Sequence, residues 1–572
     1  MTAIRFTLSG RIEPVPYLLL AGGGCALFAW LTPTHDLPWA SFHAELGMAL
    51  AGLFAAIGVW LKGRRRMLAL PALAALALLA ALIPLTQAAF GLVVFRGDAV
   101  LACLYLAGLG LTVMVGYRAV ELWGCEFGLE ALAWLVLLGA LASSWLALYQ
   151  WQQLDYLGIY VADMSIGRRP FANFNQSNLL ATLLVLGIVA TGCLFDRGRI
   201  RAALALVTLG LLCLCLATTQ SRAGLLEVPV AAMLLLLGRR HLARRLRAKH
   251  VVVALAVVLT MSLVWESVRD TGSEPTGRDV SEMMRPGARG PHWAGMLDAI
   301  GRHPWLGYGW NQGAAAQLAV APRHPPAPAV FDYGHNLALD LVLWNGIPLG
   351  FALLAGLGFW FVAAARDARD SSTLLALAGV VAVFFHALLE FPLYYSFFLL
   401  PVGLLMGGVS AAAMPRAVVR VPAWFAPTLM VAVGAVLAVL VSDYRGIARD
   451  VTELRFEQAR IGVSRARAEA SRPWLLTQMA AFIRFAHTPE REGMTESELG
   501  AMAAVVQRFP SGPNAVRYAA ALALNGRPNE AADVLRPVCR MDRPPMCERM
   551  QVLWRALGER QAAIAKVPWP AN

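Results

Sequence analysis

Long apolar segments recur along most of this chain, and they constrain its fold more than any other feature. Only 15% of the 572 residues are charged, whereas soluble domains carry about 25%. An α-helix needs about 18–25 apolar residues to cross a bilayer, and about thirteen runs reach or approach that length. They begin near Pro16, Glu45, Met67, Ala99, Leu129, Ser177, Ala202, Ala223, Val251, Asn336, Thr373, Ser396 and Pro422. The sequence therefore predicts an all-α fold, a polytopic membrane bundle of about 13 transmembrane helices.

Clusters of Arg and Lys between the apolar runs predict the orientation of the chain. Each cluster follows an even-numbered run, and basic residues concentrate on the cytoplasmic side of membrane proteins. The clusters are Lys62, Arg64, Arg65 and Arg66; Arg197, Arg199 and Arg201; Arg239, Arg240, Arg244, Arg245, Arg247 and Lys249; and Arg416 with Arg420. This pattern predicts an N-terminus inside and a C-terminus outside. The first apolar run lacks an A-x-A-like end and leads into further runs, so we expect no cleavable signal peptide. The simplest host is a bacterial inner membrane, with the periplasm outside.

The net charge of +13 does not indicate a nucleic-acid partner, because most of the excess lies in these short loops. We expect membrane lipids to be the partner of the apolar surface. The predicted topology leaves residues 151–176, a loop at 266–335 and everything after residue 442 outside. We therefore predict a transmembrane domain at 1–442, which includes that loop, and an external helical domain at 443–572.

The external domain contains a helix–turn–helix pattern at residues 515–539 that resembles a single tetratricopeptide-type hairpin. It is either a small helical cap or a module that docks an acceptor. Cys539 and Cys547 lie in this domain, and an oxidising compartment favours a disulfide between them. The other six cysteines lie in or near apolar runs and are interpreted as small apolar fillers. No cysteine or histidine spacing indicates a metal site, and we expect no cofactor.

Four arginines lie on the predicted outer side, against the usual charge distribution. They are Arg168, Arg169, Arg222 and Arg289. A guanidinium fork is suited to bidentate contact with phosphate oxygens, so the four together suit a lipid-linked diphosphate. The alternative interpretation is that they snorkel to phospholipid headgroups.

Ionisable and aromatic residues cluster at the outer ends of the later runs. His335 and Asn336 begin the tenth run, and His386 and Glu390 lie four residues apart near the end of the eleventh. Because this spacing puts two residues on one helical face, we expect His386 and Glu390 to pair, in a structural or a catalytic role. Tyr394 and Tyr395 follow them and are candidate site residues or interfacial anchors. Glu227, inside the short eighth run, has no assigned role.

Five segments together resemble the O-antigen ligase and polymerase superfamily, and most closely its PglL-type bacterial protein O-oligosaccharyltransferases. They are RRPFANFNQSNLLATLL at 168–184, SRAGLL at 221–226, RGPHWAGMLDAIGRHPWLGYGW at 289–310, GHNLALDLVLWNGIPLG at 334–350 and HALLEFPLYYSFFLLPVGLL at 386–405. His335 and Gly346 match the H-x10-G pattern of the ligases, and Arg222 begins an R-x3-L match. Gln176 and Asn178, with the segment from Glu390 to Tyr395, favour the protein-glycosylating branch.

The resemblance implies a helical membrane bundle and transfer of a glycan from undecaprenyl pyrophosphate to Ser or Thr hydroxyls. The acceptors of the family are periplasmic proteins such as type IV pilins. His335 is then the base that takes the hydroxyl proton, and the arginines neutralise the leaving diphosphate. No DxD-like pair stands on the outer face, so we expect a metal-independent, inverting reaction. The alternatives are an O-antigen ligase or polymerase that acts on lipid A core or a glycan and, in another class, a transporter of lipid-linked glycans.

Overall fold

The computed structural model describes residues 14–63, 65–165, 167–242, 244–268, 289–461, 471–541 and 544–570. Most of these residues are helical and only two short strands occur among them, which confirms the predicted all-α class. The helices of the membrane domain are α1 (Pro14–Leu31), α2 (Phe42–Lys62), α3 (Ala72–Ala80), α4 (Leu82–Ala89), α5 (Arg96–Trp151), α6 (Ser177–Asp196), α7 (Ala202–Thr219), α8 (Arg222–Leu237), α9 (Ala248–Val268), α12 (Leu337–Asp367), α13 (Ser371–Ala387), α14 (Ser396–Ala413) and α15 (Phe425–Gln458). Helices α10 (Arg289–Arg302) and α11 (Gly313–Val320) lie in the predicted outer loop.

A small sheet was not predicted. Strand β1 (Met67–Pro71) pairs antiparallel with β2 (Val418–Pro422), so that Met67 lies opposite Pro422. Both strands adjoin arginine-rich segments that the charge pattern assigns to the cytoplasmic side. The third apolar run therefore becomes helical at Ala72, five residues after its predicted start, because its first residues form β1.

In the described part of the chain, eleven helical segments are long and apolar enough to cross a membrane. This set counts α3 and α4 as one segment and divides α5 in two at Gly124, whose φ of 79° interrupts the helix. Two further predicted runs coincide with shorter helices, the 16 residues of α8 and the 17 residues of α13. All of the predicted apolar runs thus fall on helical segments.

Helices α6 and α14 occupy the centre of the bundle. In the most apolar stretch of each of these two helices, 72% of the residues are buried. The corresponding share is 28% for α1 and 17% for α9, which lie at the periphery. The leucines of α6 between residues 179 and 186 are almost completely buried. This central position matters for function, because the first turn of α6 carries Asn178.

Helix α12 is broken at Gly346, and the outer loop packs into the break. Gly346 has a φ of 74°, and a Cβ atom there would overlap the backbone of Trp305. The carbonyl of Leu343, released by the break, accepts a hydrogen bond of 2.9 Å from the N–H of Tyr308. The N–H of Ile347 in turn donates to the Pro304 carbonyl at 2.6 Å. The glycine of the H-x10-G pattern is thus required by this close approach of two backbones.

The external domain is a group of short helices with its own apolar core. They are α16 (Thr477–His487), α17 (Glu496–Arg508), α18 (Gly512–Leu524), α19 (Pro528–Leu535), α20 (Pro544–Arg560) and α21 (Ala562–Ala565). Helices α18 and α19 form the hairpin expected at 515–539, with Gly526 in the turn at a φ of 74°. A disulfide joins Cys539 to Cys547, whose Cα atoms lie 4.8 Å apart.

The external domain is attached directly to the membrane domain. The predicted boundary at 442/443 falls within the continuous helix α15. The guanidinium of Arg508 binds Asp98, at the start of α5, with Nε–Oδ2 at 2.9 Å, and Asp332 in the outer loop with Nη1–Oδ1 at 3.1 Å. The N–H of Gly97 also donates to Thr477 Oγ1 at 3.1 Å. Among the predicted features, Arg64 and residues 269–288, 462–470, 542–543 and 571–572 lie outside the described residues.

Candidate active site

Four segments that are distant in the chain meet at the carboxylate of Glu390, whose side chain is only 8% exposed. Its Oε2 atom lies 2.7 Å from Nδ1 of His335. Its Oε1 atom accepts a hydrogen bond of 2.8 Å from Nδ2 of Asn178 and forms an ion pair with Nη2 of Arg289. The structure therefore brings four of the residues proposed from the sequence into one cluster, which we call the Glu390 cluster.

The backbone around His335 is held in an uncommon conformation. His335 has a φ of 53°, in the left-handed region, and Asn336 caps α12 by accepting two backbone N–H bonds with its side chain. From α10, His292 Nε2 contacts the Tyr333 carbonyl at 3.0 Å, and Trp293 Nε1 donates to the Gly334 carbonyl at 2.8 Å. These contacts fix the turn and so fix the direction of the imidazole.

Asp340 supports the same turn, and the sequence analysis did not identify it. Its Oδ1 accepts the N–H of Gly334 at 2.7 Å, and its Oδ2 accepts the hydroxyl hydrogen of Tyr394. Asp340 is fully buried in the first turn of α12. An ionisable residue at the start of an apolar run is the signal that could have identified it. Tyr394 is therefore a structural support of the His335 turn.

The expected pairing of His386 with Glu390 is wrong. Helix α13 ends at Ala387, so Glu390 lies beyond the helix and its side chain leaves the helical face that carries His386. His386 Nδ1 instead lies 2.8 Å from Oε1 of Glu227 and contacts Oγ1 of Thr182. Glu227, which had no assigned role, is the partner of His386.

Thr182, Glu227 and His386 form a buried polar cluster inside the bundle, and all three are completely inaccessible to solvent. Thr182 lies one helical turn after Asn178 and donates to its carbonyl at 3.3 Å. The cluster thus joins α6, α8 and α13 directly beneath the residue that binds Glu390. The hydrogen bonds within such a group join the three helices inside the membrane.

The other three arginines lie on neighbouring loops. Arg169 Nη1 donates to the carbonyls of Thr219 and Gln220 at 3.2 and 3.1 Å, at the C-terminal end of α7. Arg222 is the first residue of α8, two residues after Gln220, and is half-buried. Arg168 is exposed. Arg169 therefore fixes the turn that carries Arg222, a role that the sequence did not indicate.

A cavity of about 900 Å³ adjoins the Glu390 cluster. Gln176, at the N-terminus of α6, lines it together with Tyr394 and Tyr395, so these three predicted residues border the same cavity. Phe391 also lines it, and its ring centroid lies 4.7 Å from that of His335. The remaining aromatic residues of the wall are Trp39, Tyr105, Phe174, Trp310, Tyr333, Phe384, Phe397, Phe482 and Phe509.

The charges around His335 keep Glu390 ionised. Burial alone would raise the pKa of Glu390, but the hydrogen bond from His335 and the charges of Arg289 and His335 outweigh it and lower that pKa. Burial lowers the pKa of His292 to about 4, so its imidazole is neutral where it meets the Tyr333 carbonyl. The site thus contains an ionised carboxylate that is paired with both Arg289 and the imidazole of His335.

Comparison with known proteins agrees with this architecture. Residues 204–354 match the family model described as O-antigen ligase, and residues 373–540 match the model described as virulence factor membrane-bound polymerase, C-terminal. The chain is 31% identical over 437 residues to a general O-oligosaccharyltransferase of Acinetobacter baylyi, which covers 75% of this chain and 76% of the relative. It is 26% identical over 332 residues, 57% of this chain and 59% of the relative, to a ComP-specific O-oligosaccharyltransferase of the same organism. No solved structure matches the chain.

The fold and the site define a polytopic membrane glycosyltransferase of the O-antigen ligase superfamily. Within that superfamily, the chain belongs to the O-oligosaccharyltransferase family, as the resemblance of its motifs predicts. It is therefore an oligosaccharyltransferase, and the expected transfer of a lipid-linked glycan to protein agrees with both relatives.

Proposed function

We propose that this enzyme moves an oligosaccharide en bloc from undecaprenyl pyrophosphate to Ser or Thr hydroxyls of periplasmic proteins such as type IV pilins. The reaction takes place at the periplasmic face of the bacterial inner membrane. The observation that carries the proposal is the contact between His335 and Glu390, since it leaves the imidazole with one nitrogen for proton transfer. The family relationship supports the reaction class.

The His335–Glu390 contact determines how the base works. Because the carboxylate accepts the hydrogen of Nδ1, the neutral imidazole has its lone pair on Nε2. Nε2 takes the proton of the acceptor hydroxyl as its oxygen bonds to the anomeric carbon. Glu390 then stabilises the imidazolium, which later releases the proton to water.

The leaving group is undecaprenyl diphosphate, which departs when the bond between the anomeric carbon and its oxygen breaks. It needs no added proton, but its negative charge must be neutralised. Arg289 is 30% exposed and carries five N–H donors, so it can contact Glu390 and a phosphate oxygen together. Arg222, at the N-terminus of α8, adds a second cation, and Arg168 and Arg169 adjoin it in this proposal.

The reaction is proposed to need no metal ion. Among the described residues, no three His, Cys, Asp or Glu side chains are grouped so that they could hold one. The arginines supply the positive charge that a metal ion would otherwise provide. Glu390 is occupied by His335, Arg289 and Asn178, which disfavours its use as a nucleophile, and a single displacement would invert the anomeric centre.

A ligase or polymerase that acts on lipid A core or a glycan is the second candidate, and the names of both matching family models favour it. Expression in a bacterial host that makes an undecaprenyl-linked glycan distinguishes the two. With a co-expressed candidate pilin, we expect a Ser or Thr peptide of the pilin to gain the mass of the whole glycan. The His335→Ala chain at equal expression is the matched control. Glycan on lipid A core, with every host and pilin peptide unmodified, would identify a ligase instead.

A further inference from the structure

We propose that the aromatic cavity beside the Glu390 cluster binds the polypeptide segment of the acceptor that carries the target hydroxyl. This inference rests on the proposed function and adds a location and a chemistry for the acceptor. The cavity lies between the membrane domain and the external domain, and its volume of about 900 Å³ is within the range of ligand sites. Both domains supply its walls.

The external domain forms one wall of the cavity with Gln478, Met479, Phe482, Arg508 and Phe509. The membrane domain contributes Gln176 and Phe391, among others, to the walls. Gln176 lies two residues before Asn178, which binds Glu390, and the ring of Phe391 packs edge-on against His335. Phe391 thus lies between the cavity and His335, and a segment bound in the cavity reaches the base past this ring.

The charges of the wall are unsuited to the diphosphate of the donor. Glu45, Asp98 and Asp332 line the cavity, and the guanidinium of Arg508 is bound to two of these three carboxylates. In the part of the chain that the structure describes, none of the four arginines proposed to bind the diphosphate lines it. The diphosphate therefore binds elsewhere around Glu390, on the side of Arg289.

The chemistry of the wall also argues against the polyprenyl chain of the donor. The side-chain amides of Asn175, Gln176, Asn311 and Gln478 line the space, and contact with hydrocarbon would deprive these amides of the hydrogen bonds that they need. A polypeptide suits the same wall, because its N–H and C=O groups bond to these polar side chains. Its apolar side chains can pack against the aromatic rings.

The geometry of displacement favours the acceptor over the sugars of the donor. In a single inverting step, the hydroxyl attacks the anomeric carbon from the side opposite the leaving diphosphate. With Arg289 at one oxygen of Glu390 and His335 at the other, the diphosphate and the base occupy different sides of this carboxylate. The cavity adjoins His335 through Phe391. It therefore lies on the side of the base, from which the acceptor hydroxyl arrives.

Met479 allows a direct test, because it lines the cavity from the external domain and is only half-buried. The probe is the Ser or Thr peptide of the pilin that the wild-type chain modifies, with the purified full chain and its undecaprenyl-linked donor. Met479→Trp fills part of the cavity, so we expect the KM for the peptide to rise at least tenfold while the KM for the donor is unchanged. Trp474→Ala, an 84% exposed residue of the same region that does not line the cavity, is the control and should change neither value.

Photo-crosslinking tests whether the peptide occupies the cavity, and this test does not depend on the folding of the Met479→Trp variant. With benzoyl-phenylalanine at position 479, light should link the chain to the peptide, and excess unlabelled peptide should suppress the link. A link to the donor's glycan or lipid instead, or an unchanged peptide KM in Met479→Trp, would overturn the inference. If the wild-type chain modifies no protein, the proposed function itself is wrong, which is a separate outcome.

Discussion

The Nδ1 atom of His335 lies 2.7 Å from the Oε2 atom of Glu390, although 55 residues separate them in the chain. The contact joins the outer loop to the segment after α13, and Arg289 and Asn178 complete it from two further elements. A histidine oriented by a buried carboxylate is an arrangement suited to general base catalysis. The predictions below test its parts separately.

Loss of the base should stop the chemical step without preventing donor binding. For His335→Ala we expect glycan transfer to fall by roughly 10²–10⁴, since that is the contribution of a positioned base. Binding of the lipid-linked donor should persist, because the arginines remain. Single-turnover transfer and donor binding, measured on the same purified protein, check both parts. Transfer at the wild-type rate would remove His335 from the mechanism.

Glu390→Gln should impair the base while keeping most of the packing. We expect a loss of at least about 10²-fold in transfer, because an amide neither stabilises the imidazolium nor fixes its tautomer. Single-turnover transfer by both purified proteins, with thermal unfolding as the control for packing, checks this. Transfer at the wild-type rate in a folded Glu390→Gln protein would contradict the proposed role of the carboxylate.

The lowered pKa of Glu390 also sets the pH window of the ion pair. A carboxylate whose folded pKa is lowered contributes stability fully above its unfolded pKa of about 4.3. That contribution is lost only as the pH falls through the lower pKa that Glu390 has in the folded protein. Between pH 5 and pH 8 Glu390 therefore stays ionised, and a change in transfer rate in that range reports another group.

His386 should matter for stability and not for proton transfer. His386→Ala removes one partner of the buried Glu227 side chain, which costs about 1–3 kcal/mol in the free energy of unfolding. Replacing both residues by leucine removes the unsatisfied carboxyl group, and we expect the melting temperature to recover in part. Thermal unfolding of the three purified proteins, with transfer measured per folded molecule, checks this. A His386→Ala protein that is stable but inactive, beside an active His335→Ala protein, would make His386 the base.

Much of the fold could be predicted from the sequence, because apolar length and arginine position are local properties of the chain. The runs at α6, α12 and α14 fall on helices for this reason. The β1–β2 pairing could not be predicted, since it joins strands more than 300 residues apart that carry no alternating pattern. From the sequence, Gly346 could be identified only as the glycine of the H-x10-G motif. The break in α12 at this residue could not be predicted, because it depends on the outer loop that packs against it.

The site was predictable as a set of residues but not as a set of contacts. His335, Arg289, Asn178 and Glu390 were all selected, and the structure joins them. The spacing rule for helices failed at Glu390, because α13 ends three residues earlier and the side chain turns towards the outer loop. Which carboxylate pairs with which histidine depends on where a helix ends, and local periodicity does not determine that.

Arg289 and Arg222 should act on the donor. For Arg289→Ala and Arg222→Ala we expect the KM for the donor to rise or transfer to fall at least tenfold, at normal insertion. Arg→Lys should also impair transfer, because an ammonium cannot form the bidentate fork with phosphate. Arg302→Ala is a matched control on α10, since Arg302 pairs with Asp298 at the other end of that helix. Unchanged transfer in both alanine variants would remove the proposed diphosphate contacts.

The last prediction concerns Gly346, which lies eleven residues after His335 and does not touch it. Gly346→Ala forces a side chain into the left-handed φ of 74° and against the backbone of Trp305 and Leu306. Strain of about 1–3 kcal/mol follows from the dihedral angle alone, and the overlap adds to it. The outer loop should therefore separate from the break in α12, and the hydrogen bond from Tyr308 to the Leu343 carbonyl should be lost. We expect faster amide hydrogen exchange in residues 303–311, together with reduced transfer.

Gly358→Ala is the control, because Gly358 lies in the same helix and a Cβ atom there meets no neighbour. Normal exchange and normal transfer in Gly346→Ala would show that the break does not hold the loop that supports His335.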